Sequence, residues 1–335
     1  MDLLIGTLFL ILVLVIFTIF TYKAPSGMKA MGALANAAIA SFLVEAFNKY
    51  VGGQVFGIKF LEELGDAAGG LGGVAAAGLT ALAIGVSPVY ALVIGAACGG
   101  MDLLPGFFAG YIVGYMMKYT EKYVPDGIDL IGSIILLAPI ARLIATGLTP
   151  VVNNTLIKIG DIIQSSTDAN PLIMGIVLGG IITVVGTAPL SSMALTALLG
   201  LTGAPMAIGA MAAFSSAFMN SALFHRLKLG DRKSTISVGI EPLSQADIVS
   251  ANPIPIYVTN FFGGAIAGMI NNATGTATPI AGFLVMFGFN SLTKVIIYGV
   301  VMAIIGTIAG IVGSIVFKKY PIITKKQMLE RDTTT

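Results

Sequence analysis

Apolar residues occupy most of this chain in long stretches, and the charges sit in the short segments between them. Nine segments stay apolar along most of their length: 3–22, 30–46, 70–86, 88–117, 128–148, 172–185, 205–224, 253–270 and 292–317. A helix needs about 20 such residues to cross a bilayer. The pattern therefore predicts an all-α, polytopic transmembrane bundle of about nine or ten spans, with a break near Pro105 inside 88–117. Two stretches depart from plain spans. Thr187 to Phe224 and Asn271 to Asn290 are interrupted by small and polar residues. Backbone that leaves the helix at membrane depth survives only where protein buries it or where it lines a wet cavity. In transporters such broken segments build the midplane binding site. Residues 187–203 and 271–290 are accordingly read as re-entrant hairpins.

The connecting segments set the expected orientation. Residues 47–68 and 151–171 mix charges with apolar residues and read as interfacial or external connectors. Residues 225–252 form the most basic internal loop, through Arg226, Lys228, Arg232 and Lys233. The tail, 318–335, carries Lys318, Lys319, Lys325, Lys326 and Arg331. Basic segments stay in the cytoplasm, so loop and tail are expected there. Lys23 and Lys29 after the first apolar run place the N-terminus outside. No polar segment is long enough to fold alone, so 1–335 reads as a single transmembrane domain.

Composition supports a lipid solvent. The chain is 56% hydrophobic and only 10% charged, where a soluble domain carries about 25% charged residues. Forty-two glycines include the pairs Gly175/Gly179, Gly264/Gly268 and Gly306/Gly310, whose spacing suits close helix packing. A single cysteine, Cys98, excludes an internal disulfide and a paired-cysteine zinc site. A single histidine, His225, excludes His-rich metal cages. The net charge of +2 is scattered along a hydrophobic chain, which points away from nucleic acid. No Walker motif, GxSxG elbow or His/Cys metal spacing appears, so no catalytic residue, metal or cofactor is expected.

Ionisable groups within membranes are expensive, so each is a candidate site. Glu241 stands alone in the apolar pentad Val238-Gly239-Ile240-Glu241-Pro242, where Gly and Pro break regular structure. It suits hydrogen bonding to solute hydroxyls, or proton transfer. His225, at the end of the broken segment, could contact solute or cap its helix. Thr187, Ser191, Asn220, Asn260, Asn271, Asn272, Thr274 and Thr276 cluster around the breaks. Their amides and hydroxyls both donate and accept, which fits a neutral sugar or polyol. They equally suit the backbone groups that the breaks set free. Arg142 lies inside its span without a nearby carboxylate, and Glu45 and Lys294 lie near span ends.

Three segments together resemble a known family: 24–53 (APSGMKAMGALANAAIASFLVEAFNKYVGG), 238–260 (VGIEPLSQADIVSANPIPIYVTN) and 271–283 (NNATGTATPIAGF). They are similar to the membrane IIC subunits of bacterial phosphotransferase-system sugar permeases, and most to a divergent branch that includes toxin regulators. The resemblance covers nearly the whole chain. It implies a homodimer in the bacterial inner membrane, with a sugar-sized site at re-entrant hairpins. No IIB domain stands in this sequence, a departure from full phosphotransferase activity, so coupling to phosphorylation would need a separate cytoplasmic IIB protein; a regulator is the alternative partner. In the family the Glu of a Gly-Ile-Thr-Glu-Pro element contacts sugar hydroxyls, and Glu241 matches it. Here Gly and Ile stand one position closer to the Glu, and the Thr is missing. The expected activity is permeation of a small polar solute by alternating access. A solute sensor that signals through the loop, or a passive channel, are the alternatives.

Overall fold

A computed structural model describes residues 8, 12, 15–17, 19–38, 40–41, 44–125, 127–169, 171–188, 201, 203–240, 242–278 and 282–328. Among these the regular elements are all helical, with no strand. It divides into two compact units, Lys23–Thr155 and Met1–Tyr22 with Leu156–Thr335.

The first unit begins with α1 (Gly27–Ala38) and a wide π-helical segment (Ala46–Val55). Then follow α2 (Lys59–Gly69), α3 (Gly72–Ile84), α4 (Pro88–Ala97) and α5 (Leu103–Tyr123). It continues into α6 (Ile128–Gly132), a π-helical turn (Ser133–Leu137) and α7 (Ala138–Ala169), within which the boundary between the units falls. Small residues bring α3 and α5 into backbone contact. A Cβ on Gly110 would stand 2.8 Å from the carbonyl carbon of Ala77, and one on Gly106 2.7 Å from Gly73 Cα. Cys98 is wholly buried in the adjoining core with Ala77, Ile94, Val113 and Met117.

Both ends of α4 are held by charge. Gly85 ends α3 in the left-handed conformation, and Pro88 opens α4 behind an extended Ser87. From α5, the Glu121 carboxylate accepts the Ser87 N–H at 3.2 Å, and Lys118 donates to the Ile84 carbonyl at 3.1 Å. From α7, Arg142 donates to the carbonyls of Ala97 and Gly99. An anion thus faces the N-terminus of α4 and a cation its C-terminus, as the helix dipole favours. With ten residues, α4 is ~15 Å long, about half the hydrocarbon thickness of a bilayer.

Three sequence readings gain detail from the helix bounds. The interruption in 88–117 falls at Cys98–Met101, where Gly100 has φ 70°. Pro105 lies in the first turn of α5, where a missing N–H is harmless. The stretch 47–68 is a helical hairpin: Gly65 admits the Lys49 backbone, and the Lys49 ammonium lies 2.6 Å from Asp66 and 3.4 Å from Glu45. Residues 151–169 continue helix α7 straight through Pro150.

The second unit contains α8 (Pro171–Thr187), α9 (Gly203–Leu227), α10 (Arg232–Ile240), a 3₁₀ turn (Pro242–Gln245) and α11 (Ala246–Ala251). It ends with α12 (Pro253–Asn272), α13 (Met286–Phe289) and α14 (Leu292–Val316). All three glycine pairs lie at helix contacts. Gly175 and Gly179 meet Gly268 and Gly264, so α8 and α12 run antiparallel; a Cβ on Gly268 would stand 2.9 Å from Gly179 Cα. Gly306 and Gly310 receive Ser215 and Met219, so α9 and α14 run parallel. Their basic C-terminal ends therefore share one end of the unit.

Four described helices are long and apolar enough to cross a membrane: Ile128–Thr155, Gly203–Leu227, Pro253–Asn272 and Leu292–Val316. The bent pair α2–α3, with 52° between its parts, makes up to five. The remaining expected segments within the described residues are shorter or interrupted: α1 has 12 residues, α4 has 10 and α8 has 17.

Candidate functional site

Most of the described candidate residues of the second unit fall into two buried groups. The first joins α9 to α12. Asn220 and Asn260 are both fully buried, and Asn260 Nδ2 donates to Asn220 Oδ1 at 2.7 Å and to the Ile256 carbonyl at 2.9 Å. Asn220 Nδ2 and Asn260 Oδ1 have no partner among the described residues. The pair thus retains one donor and one acceptor in a region where each unmade bond costs about 1–3 kcal/mol. Helix α8 closes over this group because Gly264, one turn beyond Asn260, has no side chain. Thr183 reaches across to donate to the Asn260 carbonyl at 2.7 Å. Thr187, one turn further along α8, is buried and donates back to Thr183 and Val184.

The second group lies where α12 ends. Gly275 takes φ 64° and turns the chain. Thr274 Oγ1 donates to the Asn271 carbonyl at 2.6 Å and pairs with Thr276 Oγ1 at 3.0 Å, while Thr276 donates to Asn271 Oδ1 at 3.2 Å. Asn271 is 1% exposed, and its Nδ2 has no partner among the described residues. Asn272 beside it is half-buried.

The breaks meet at this end. The Thr278 N–H donates to the Gly203 carbonyl at 3.1 Å, an isolated antiparallel bridge between the start of α9 and the segment after α12. Asn290 holds the same segment from the other side: its amide accepts the Ala277 N–H at 3.1 Å and donates to the Ala277 carbonyl at 2.8 Å. Phe283 stacks on Phe214 with centroids 3.8 Å apart. Among the described residues, 273–278 and 282–285 are non-helical backbone in which Thr274, Thr276, Thr278 and Val285 are buried. The other stretch differs: from Gly203 to Phe224 it is one unbroken helix, while 189–200 lie outside the described residues.

Asn260 and Asn271 stand eleven positions apart on α12, which is about three turns and ~16 Å along one face. The two groups mark the two ends of that face, with Gly264 and Gly268 between them. His225 lies in the last turn of α9 with an exposed side chain, and no described contact joins it to either group. Glu241 and Ser191 lie outside the described residues.

The segment 225–252 is mostly helical rather than an open loop. The Ser234 N–H donates to Asp231 at 2.7 Å and opens α10. That bond, helped by Lys325, holds the Asp231 carboxyl down at about 2. In α11, burial pushes the Asp247 carboxyl up. Thr183, Asn252 and Asn290 were not singled out from the sequence. Asn252 carried a usable signal, since Asn before Pro is a common helix start.

Long apolar helices joined by glycine seams, with buried amides between them, define a polytopic helical membrane protein. Residues 28–329 match the family described as "Phosphotransferase system, EIIC", and the chain belongs to that family. Comparison with curated proteins and with solved structures yields no match. Membership makes this chain a sugar-type membrane permease component that works with a separate IIB component.

Proposed function

We propose that the chain binds a neutral sugar or polyol through the polar groups along α12 and carries it across the inner membrane by alternating access. The observation that supports this most is the Asn220–Asn260 pair, with its open donor and acceptor. A hydroxyl group both donates and accepts, so it complements that pair. Asn271, Asn272, Thr274, Thr276 and Thr187 would serve the same solute at other stages of its passage. Glu241, Ser191 and His225 are proposed as further solute contacts on their sequence context and family resemblance. The protein would act as a homodimer with its basic end in the cytoplasm, where the IIB protein docks, and with its N-terminus outside.

The test is a thermal-shift screen of the detergent-solubilised protein against neutral hexoses, hexitols and disaccharides, with Asn220→Leu and Asn260→Leu beside it. One class is expected to raise the melting temperature of the wild type but not of either folded variant. Retained binding in both variants would remove the amide pair from the site. A ligand that binds but is never taken up by vesicles supplied with IIB and a phosphoryl donor would favour a sensor.

A further inference from the structure

The tail does more than carry charge. After α14 it returns along the second unit and joins both ends of the segment that contains Glu241. At one end, the Lys325 N–H donates to the Leu229 carbonyl at 2.9 Å, and its ammonium lies 3.0 Å from Ser234 Oγ and 3.4 Å from Asp231. At the other, the Asn252 amide, 2% exposed, brackets Ile323: it accepts the Ile323 N–H at 2.8 Å and donates to the Ile323 carbonyl at 2.8 Å. Three consecutive residues thus tie the start of α10 to the end of α11. The tail is shaped for this. Thr324 and Gln327 form a reciprocal capping box, with the Gln327 side chain accepting the Thr324 N–H at 2.9 Å. This starts a short helical turn whose Met328 is buried.

We propose that residues 323–328 are a releasable latch on the segment 229–252. While the latch is closed, α10, the 3₁₀ turn from Pro242 to Gln245 and α11 are held between two fixed points. When it opens, that segment is free to shift. The segment also has anchors of its own, among them the buried Val238, Ile248 and Val249. Ser221 donates to the Thr235 carbonyl at 3.0 Å, and Tyr22 donates to the Ala251 carbonyl. The significance of the latch for transport rests on the permease reading; its existence does not. Lys325 packs on the start of α10, where Arg232 and Lys233 stand, so a partner bound at that basic stretch would meet the latch directly.

The experiment is hydrogen–deuterium exchange of the full-length protein, followed at residues 235–248. Two variants open the latch: Asn252→Ala removes the bracket on Ile323, and Lys325→Pro removes the donor to Leu229 at a first-turn position that tolerates proline. A third, Asn252→Cys with Ile323→Cys, closes it by a disulfide that reductant reverses. Exchange is expected to rise about tenfold in the opening variants, the scale of losing one or two backbone-linked bonds. It should fall below wild type in the oxidised double-cysteine protein and rise on reduction to the level of Asn252→Ala, because Asn252→Cys also removes the bracket. Equal exchange in wild type and opening variants would show that the tail holds nothing. Equal exchange in wild type and cross-linked protein would show a static strut. Either result overturns the latch whether or not the protein transports sugar, and failed uptake with the expected exchange order leaves the latch standing.

Discussion

Gly110→Ala tests whether α3 and α5 touch through their backbones. The added methyl would stand 2.5 Å from Ala77 Cα and 2.8 Å from its carbonyl carbon. Carbon atoms settle at about 3.5–4.0 Å, so the two helices must part by ~1 Å, because neither atom belongs to a flexible side chain. Overpacking of this kind costs about 1–3 kcal/mol. Alanine returns up to ~1 kcal/mol in helix propensity. The net loss is about 0.5–2.5 kcal/mol, or roughly 2–8 °C in melting temperature. The chain has no tryptophan but one buried cysteine. Cys98 lies in the same core as Ala77, so a thermal ramp with a thiol-reactive dye reads this unit. Gly132→Ala is the control: nothing stands within 4 Å of its Cβ, and it should be neutral or slightly stabilising. A Gly110→Ala protein that melts with wild type would refute the backbone contact.

Thr183→Val keeps the shape of the side chain and removes the donor to the Asn260 carbonyl. It should lower stability by about 0.5–1.5 kcal/mol, the range of interhelical hydrogen bonds in membranes, as measured by thermal unfolding followed by circular dichroism. Asp231→Asn should destabilise the protein at neutral pH. The Asp231 carboxyl is held at about 2 against an ordinary 3.8, so its contribution is present above 3.8 and fades as pH falls toward 2. Wild type and variant melting temperatures should therefore converge over that window, and a gap that persists at the acid end would contradict the pairing. Burial raises the Asp247 carboxyl, so its charge opposes folding once pH climbs through its folded value. Asp247→Asn should raise the melting temperature at neutral pH and lose that advantage in acid.

Which features were legible in the sequence follows from which interactions leave a local trace. The glycine pairs were, because a smooth strip of helix needs small residues at i and i+4, and Gly175/Gly179 sits directly on Gly264/Gly268. Asn220, Asn260 and Asn271 stood out because amides are rare in apolar runs. That Asn220 pairs with Asn260, with Asn271 three turns away, depends on helix register, which no local pattern encodes. The partners of Arg142 were invisible for another reason. They are the carbonyls of Ala97 and Gly99, and every residue has a carbonyl. The hairpin of α2 with the π-helical segment was hidden by its charges, which look like solvent exposure but include the close pair of Lys49 with Asp66.

The charged ends of α4 have a consequence for how this protein divides its work. A guanidinium already engaged by two carbonyls of its own chain is committed: recruiting Arg142 to a passing solute would strip the last turn of α4. Glu121 is committed likewise to the first turn. Both charges act as masonry, fixing a helix too short to cross the membrane alone. Movement of that helix would therefore carry α5 and the start of α7 with it as one block.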